Sequence, residues 1–147
     1  MIKITELNHS NYVEIAKLAF KLWPNSTLKD ETQFFSNCSI NKSQSAFLLS
    51  IDSASIGFVY ASLRNDFVEG TKTKPVCYVE GIYIEPKFRK KGYAAGLMKE
   101  VENWGKLKGC KEIASDAEIK NLNSIEFHKR IGFKEVNRVA CFAKVIN

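Results

Sequence analysis

The chain has 147 residues, is 45% hydrophobic, and carries 22 Lys and Arg against 16 Asp and Glu, for a formal charge of +6. This length suits one domain, residues 1–147, burying roughly 68–70% of its unfolded-chain surface. With three prolines, eight glycines and no repeat or low-complexity run, it excludes a linker-rich or disordered class. No apolar stretch approaches the roughly 20 residues of a membrane helix.

The start, Met1-Ile2-Lys3-Ile4-Thr5-Glu6, enters a strand pattern without an apolar leader, so the expected location is cytoplasmic. Cys38, Cys77, Cys110 and Cys141 are widely spaced, form no C-x-x-C pair and have neither His9 nor His128 beside them. Cys77 and Cys141 sit in apolar runs and are expected as packed reduced thiols, and no metal is expected. The excess cation, concentrated at Lys87 to Lys91 and at Lys106, Lys108 and Lys111, points to an anionic partner. The basic stretch is short, has only Phe88 and Tyr93 as aromatics and adjoins a glycine turn, which favours a pyrophosphate over nucleic acid. No membrane partner is expected either.

Along the chain, Ile2, Ile4 and Leu7 alternate as a first strand. Tyr12, Ile15, Ala16, Ala19, Leu22 and Trp23 then recur at helical spacing until Pro24. A second helix is predicted over Leu28 to Asn37, with Thr27 as N-cap and Asp30 in a capping-box-like position. Ala46 to Ile51 and Ile56 to Leu63 read as an antiparallel hairpin around Asp52-Ser53-Ala54-Ser55. A polar loop from Arg64 to Lys74 leads into the strand Val76 to Ile84, where Gly81 marks a bulge or a close backbone approach. Ala94, Leu97, Met98, Val101 and Trp104 form the buried stripe of a third helix, ended by Gly105 or Gly109. A short strand over Lys111 to Ser115 follows, then a fourth helix opened by Asn121 or Asn123 and capped by Gly132, then a last strand from Phe133 to Val145. The predicted order is βααβββαβαβ: an α+β class, with a mixed, mostly antiparallel sheet flanked by helices.

The most informative stretch is Arg89-Lys90-Lys91-Gly92-Tyr93-Ala94, which joins the Val76 to Ile84 strand to the third helix. Gly92 permits close backbone approach, and small Ala94 and Ala95 open the first turn. The orphan N–H groups there point outward at the positive end of the helix dipole, which with the flanking cations makes a pyrophosphate cradle.

The pattern Arg89-x-x-Gly92-x-Ala94 after a strand resembles the acyl-coenzyme A signature of the GCN5-related N-acetyltransferases (GNAT), whose fold the element order matches. The resemblance is closer to the aminoglycoside 6′-N-acetyltransferases of the small chromosomal type, whose activity confers antibiotic resistance. It is carried by Lys21-Leu22-Trp23-Pro24, Ile56-Gly57-Phe58, Arg64-Asn65-Asp66-Phe67-Val68-Glu69-Gly70, Val79-Glu80-Gly81-Ile82, Trp104-Gly105, Lys108-Gly109-Cys110 and Ala114-Ser115-Asp116. It implies acetyl-CoA as cosubstrate and no metal, held by Ile82, Tyr83 and Ile84, by Arg89, Lys90, Lys91, Gly92, Tyr93, Ala94 and Ala95, and by Asn121 on the pantetheine arm. It also implies a sheet splayed between its fourth and fifth strands, Trp23, Glu80 and Asp116 against a cationic aminoglycoside with Phe67 nearby, and a homodimer, with Val139 to Val145 as a reasonable contact.

On the residues alone, Glu80 in an apolar strand beside Gly81 lines a polar cleft or faces solvent. Asp116 is a site carboxylate or a turn residue, Asn121 a pantetheine contact or an N-cap, and Trp23 a core residue, a cleft wall or both. Two carboxylates at one cleft would hold ammonium groups and accept a proton, so Glu80 and Asp116 are the catalytic candidates. Three positions depart from the relatives: Phe67 stands for a common Tyr, Asn137 for an acidic residue on the substrate side, and His128 where many superfamily members carry a tyrosine acid. His128 could protonate the departing thiolate or lie on a helix surface. Two rival functions remain: the same chemistry on a polyamine or a protein N-terminus, and a coenzyme A-binding module without turnover.

Overall fold

The computed structural model describes all 147 residues. Its elements are β1 (Ile2–Glu6), α1 (Tyr12–Leu22), α2 (Leu28–Cys38), β2 (Gln44–Ile51), β3 (Ala54–Arg64), β4 (Val76–Ile84), a 3-10 turn over Pro86–Phe88, α3 (Tyr93–Leu107), β5 (Ile113–Ser115) and α4 (Leu122–Arg130). The five strands lie in sequence order, antiparallel from β1 to β4, with β5 parallel to β4.

Strands β2, β3 and β4 read as near-continuous apolar runs because both sheet faces are covered. Side chains alternate between faces: Phe47, Leu49, Val59 and Ala61 pack with Leu97, Met98, Val101 and Trp104 of α3. Ala46, Leu48, Phe58 and Tyr60 pack with Ile15, Ala16, Leu18 and Ala19 of α1 and with Phe35 and Cys38 of α2. Fully buried Phe58 joins the second core to Trp23, the two rings meeting edge to face at 6.2 Å. The Thr27 hydroxyl accepts from the Asp30 N–H at 3.0 Å, so α2 starts where its cap was expected.

Two features of β4 shape the cleft. The register with β3 shifts so that Tyr60 faces Gly81 while Ala61 faces Val79, leaving Glu80 as the extra residue of a bulge. Gly81 is also required by packing, since a Cβ there would lie 2.5 Å from Trp23 Cζ2 and 3.1 Å from Leu22 Cδ2. The bulge and the close approach, offered by the sequence as alternatives, are both present. An ion pair from Lys21 to Glu85 fastens the end of α1 to the end of β4.

The expected last strand is absent. Residues 133–147 carry no regular secondary structure, and Val136, Val139, Phe142, Val145 and Ile146 are exposed. The Val136 methyl groups sit against Gly70, so the segment leaves past the β3–β4 loop instead of joining β5. A strand forms only where another supplies its ladder, and β5 offers three residues. Helix α4 contains no buried residue; Phe127 and Ile131 alone tuck partly against the α3-side core.

Phe58→Ala is expected to lower unfolding stability by about 3–5 kcal/mol in a denaturant titration, because it empties the contact between α1, α2 and the sheet. Gly81→Ala is expected to cost about 1–3 kcal/mol and to change Trp23 emission in a Trp104→Phe background, since the added methyl must displace the indole.

Candidate active site

The sequence Arg89 to Ala95 folds into an open cradle. Gly92, at φ +88°, is the N-cap of α3 and supplies no side-chain cap. The backbone N–H groups of residues 90–95 donate to no acceptor in the chain. Lys90 also adopts a left-handed conformation, φ +62°, and the space where a Gly92 Cβ would project is empty to 4 Å. Successive free N–H groups at a helix start suit a pyrophosphate, so this cradle fits the phosphate end of an acyl-coenzyme A. Arg89 turns the other way: its Nε donates to the Ile84 carbonyl at 2.7 Å and pins the loop to the end of β4. Lys87 and Lys91 flank the Phe88 ring, 5.4 and 5.9 Å from its centroid.

Between cradle and cleft runs an open strand edge. Strand β5 pairs with β4 only at Cys77, Tyr78 and Val79, whereas β3 follows β4 through Ile84. From Glu80 to Ile84, β4 therefore has no neighbour on its β5 side, and an extended chain can lie along Ile82, Tyr83 and Ile84 there.

The two candidate carboxylates share one network. Glu80 accepts a hydrogen bond from the Ser62 hydroxyl and two from Arg64, Nη2 to Oε1 at 2.8 Å and Nε to Oε2 at 3.1 Å. Arg64 Cζ lies 3.5 Å from the centroid of the Tyr78 ring, and the Tyr78 hydroxyl donates to Asp116 Oδ2. Burial, then that bond to Asp116, holds the Tyr78 phenol well above its ordinary pKa, so it serves as a donor. The hydrogen bond to Glu80 holds the Arg64 guanidinium above its usual value. Trp23, placed over Gly81, is the neighbouring wall.

Other expected residues are placed less centrally. Phe67 is 77% exposed on the β3–β4 loop, next to Val68, which is buried with Val76 and Tyr78. Glu112 ties that loop to the approach of β5 by accepting from the N–H groups of Lys72 and Thr73 at 2.8 and 2.7 Å. Asn137 lies on the exposed C-terminal arm, accepts only from the Arg138 N–H at 2.8 Å, and is not joined to the Glu80 network. Asn121 is the α4 N-cap, its Oδ1 taking the Ser124 N–H at 3.1 Å and leaving its side-chain amide N–H groups free.

His128 is partly buried, not a free surface residue. Its Nδ1 lies 2.7 Å from the Ser124 carbonyl, which can only accept, so Nδ1 carries a proton. In the neutral ring Nε2 then accepts from Ser115 Oγ at 2.9 Å.

Sequence reasoning missed Ser62, Arg64, Tyr78 and Ser115 as part of this site. A usable signal was present: Ser62 and Arg64 interrupt the apolar run of β3 at a spacing of two, as Tyr78 and Glu80 do in β4. The three buried thiols are not activated, and Cys141, expected to be packed, is instead exposed on the C-terminal arm. Burial pushes Cys38 up to about 11 and Cys77 up to about 12, and it raises Cys110 as well. No group of three or more His, Cys, Asp or Glu converges as metal ligands.

The model of the acetyltransferase (GNAT) family matches residues 8–133. The aminoglycoside N(6′)-acetyltransferase type 1 of Serratia marcescens is 34% identical over 140 residues, covering 95% of this chain and 96% of its own. The structure of AAC(6′)-Iy in complex with the bisubstrate analog CoA-S-monomethyl-acetylneamine superposes with a TM-score of 0.95 at 32% identity, covering 99% of each chain. AAC(6′)-Ih from Acinetobacter baumannii gives a TM-score of 0.91 at 33% identity over 100% of both. With its helix-start cradle, parted β4 edge and GNAT fold, the chain belongs to the GNAT acetyltransferases and, among them, to the family of the aminoglycoside N(6′)-acetyltransferases.

Proposed function

We propose that the protein is an acetyl-CoA-dependent N-acetyltransferase acting on the 6′-amine of aminoglycosides, an antibiotic-resistance activity, by direct attack within a ternary complex. The observation that carries this reading is the pairing of Glu80 and Asp116 in one network at the mouth of the unpaired β4 edge. A polycation is what such a mouth attracts, even on a chain of charge +6, because fields beyond about 8–10 Å are screened while contacts are not.

The free N–H groups of residues 90–95 take the pyrophosphate, and the amide side chain of Asn121 takes the pantetheine arm. An N–H in Ile82 to Ile84 donates to the thioester carbonyl, as in an oxyanion hole. Trp23 and Phe67 offer ring faces to the sugars. Glu80 and Asp116 hold the ammonium groups, and one of them, directly or through water, takes the proton that frees the 6′ nitrogen, a service worth about 10²–10⁴ in rate. The nitrogen bonds to the acetyl carbon, the carbon–sulfur bond breaks, and the thiolate leaves. Both ring nitrogens of His128 are engaged within the chain, Nδ1 with the Ser124 carbonyl and Nε2 with Ser115 Oγ, so the thiolate takes its proton from solvent. The raised pKa values of buried Cys38, Cys77 and Cys110 speak against a covalent acetyl-cysteine at any of the three.

We place the enzyme in the cytoplasm, where acetyl-CoA is made; no helix is long and apolar enough to cross a membrane. We also infer a homodimer. Each chain leaves the outer edge of β5 without a ladder and α4 without a buried residue, and each extends an arm whose apolar side chains Val139, Phe142, Val145 and Ile146 are exposed. A second copy satisfies both needs at once.

Purified protein is expected to release thiol from acetyl-CoA with an aminoglycoside bearing a 6′-amine and not with its 6′-hydroxyl counterpart. Glu80→Gln is expected to lower kcat/KM for the antibiotic by about 10²-fold or more. Turnover only with polyamines or peptides would move the acceptor; saturable acetyl-CoA binding without turnover would leave a coenzyme A-binding module. Light scattering should give twice the chain mass, reduced to one chain by Phe142→Asp or by removal of residues 134–147.

A further inference from the structure

The Glu80 carboxylate does not stand free. Its Oε2 accepts from both Ser62 and Arg64 Nε, while Oε1 accepts from Arg64 Nη2 alone. A carboxylate oxygen has two lone-pair directions, so Oε2 is filled and Oε1 keeps one open. The fork of Arg64 therefore decides where the single remaining acceptor direction of Glu80 points. The same guanidinium lies flat on Tyr78, at 3.5 Å, and the Tyr78 ring is buried, with its hydroxyl donating to Asp116 Oδ2. Both carboxylates act on the Arg64 charge, which offsets their mutual repulsion. The pair is partly exposed, 41% for the Arg64 side chain and 24% for Glu80, so its value to stability is small and its value lies in geometry.

We propose that Arg64 is a positioning residue for the acceptor substrate, holding Glu80 through its fork and Asp116 through the stacked Tyr78, so that the two carboxylates present their open oxygens as one fixed unit. The inference rests on the assignment of Glu80 and Asp116 to the acceptor side and adds the residue that aligns them. Lysine cannot replace Arg64: it keeps the charge but lacks both the bidentate fork and the flat stacking surface.

The test is steady-state kinetics on the full-length protein with a 6′-amino aminoglycoside and acetyl-CoA. Arg64→Lys is expected to raise KM for the aminoglycoside about tenfold, while KM for acetyl-CoA and the thermal midpoint change little. Arg64→Lys and Asp116→Asn should be non-additive by about threefold or more, and that coupling should vanish in a Tyr78→Phe background, which cuts the only bonded route from Arg64 to Asp116. Additive effects, or coupling unchanged by Tyr78→Phe, would overturn the proposal while leaving the two carboxylates in place. Arg64→Lys raising both KM values together, or only lowering the thermal midpoint, would make it a structural residue and overturn the proposal as well. If Glu80→Gln and Asp116→Asn themselves leave the aminoglycoside KM unchanged, the acceptor-side assignment fails, and the role of Arg64 with it.

Discussion

The structure depends on the early parting of β4 and β5. Strand β4 follows β3 to its end but holds β5 along only three residues, and the mouth of the molecule opens from that divergence. The bulge at Glu80 begins where the β5 ladder stops, and it is fixed from one face by Trp23 lying on Gly81. From the other face Leu97, Met98 and Val101 hold the sheet and so aim the start of α3. A cut of the backbone ladder that would be a defect elsewhere becomes, here, the place where a second extended chain finds partners.

Charge is distributed by the same geometry. The chain is basic as a whole, and its cations gather around Phe88 beside the cradle, whereas the carboxylates of Glu80 and Asp116 gather across the parted edge. Under the proposed function, an anionic donor and a cationic acceptor would each meet local charge of opposite sign within one cleft. Net charge describes neither end, because screening confines each field to its own neighbourhood.

Much of this was legible in the residues. The doubly covered strands read as long apolar runs, Thr27 announced its helix and Asn121 or Asn123 the start of α4, and the Arg89 to Ala95 stretch announced the cradle, because propensity, capping and glycine geometry are local. The alignment of Glu80 was not legible, since it depends on register. Only the pairing of Ser62 with Tyr78, and the skipped residue beyond it, brings Arg64 to both. The last strand fails for a related reason: the apolar run from Val139 to Val145 identifies a segment suited to a sheet but not whose sheet it joins. The setting of His128 stays open between two readings in the sequence because its partner Ser115 belongs to another element.

The cradle and the acid cluster differ in what they are made of. The first is a row of peptide N–H groups, which every residue except proline supplies, so its recognition is written in the path of the chain and survives most substitutions along it. The second is made of side chains, each one codon from loss. Such a division lets one half of a cleft drift in its preferences while the other stays constant. A lineage carrying this fold can change what it accepts without having to reinvent what it spends.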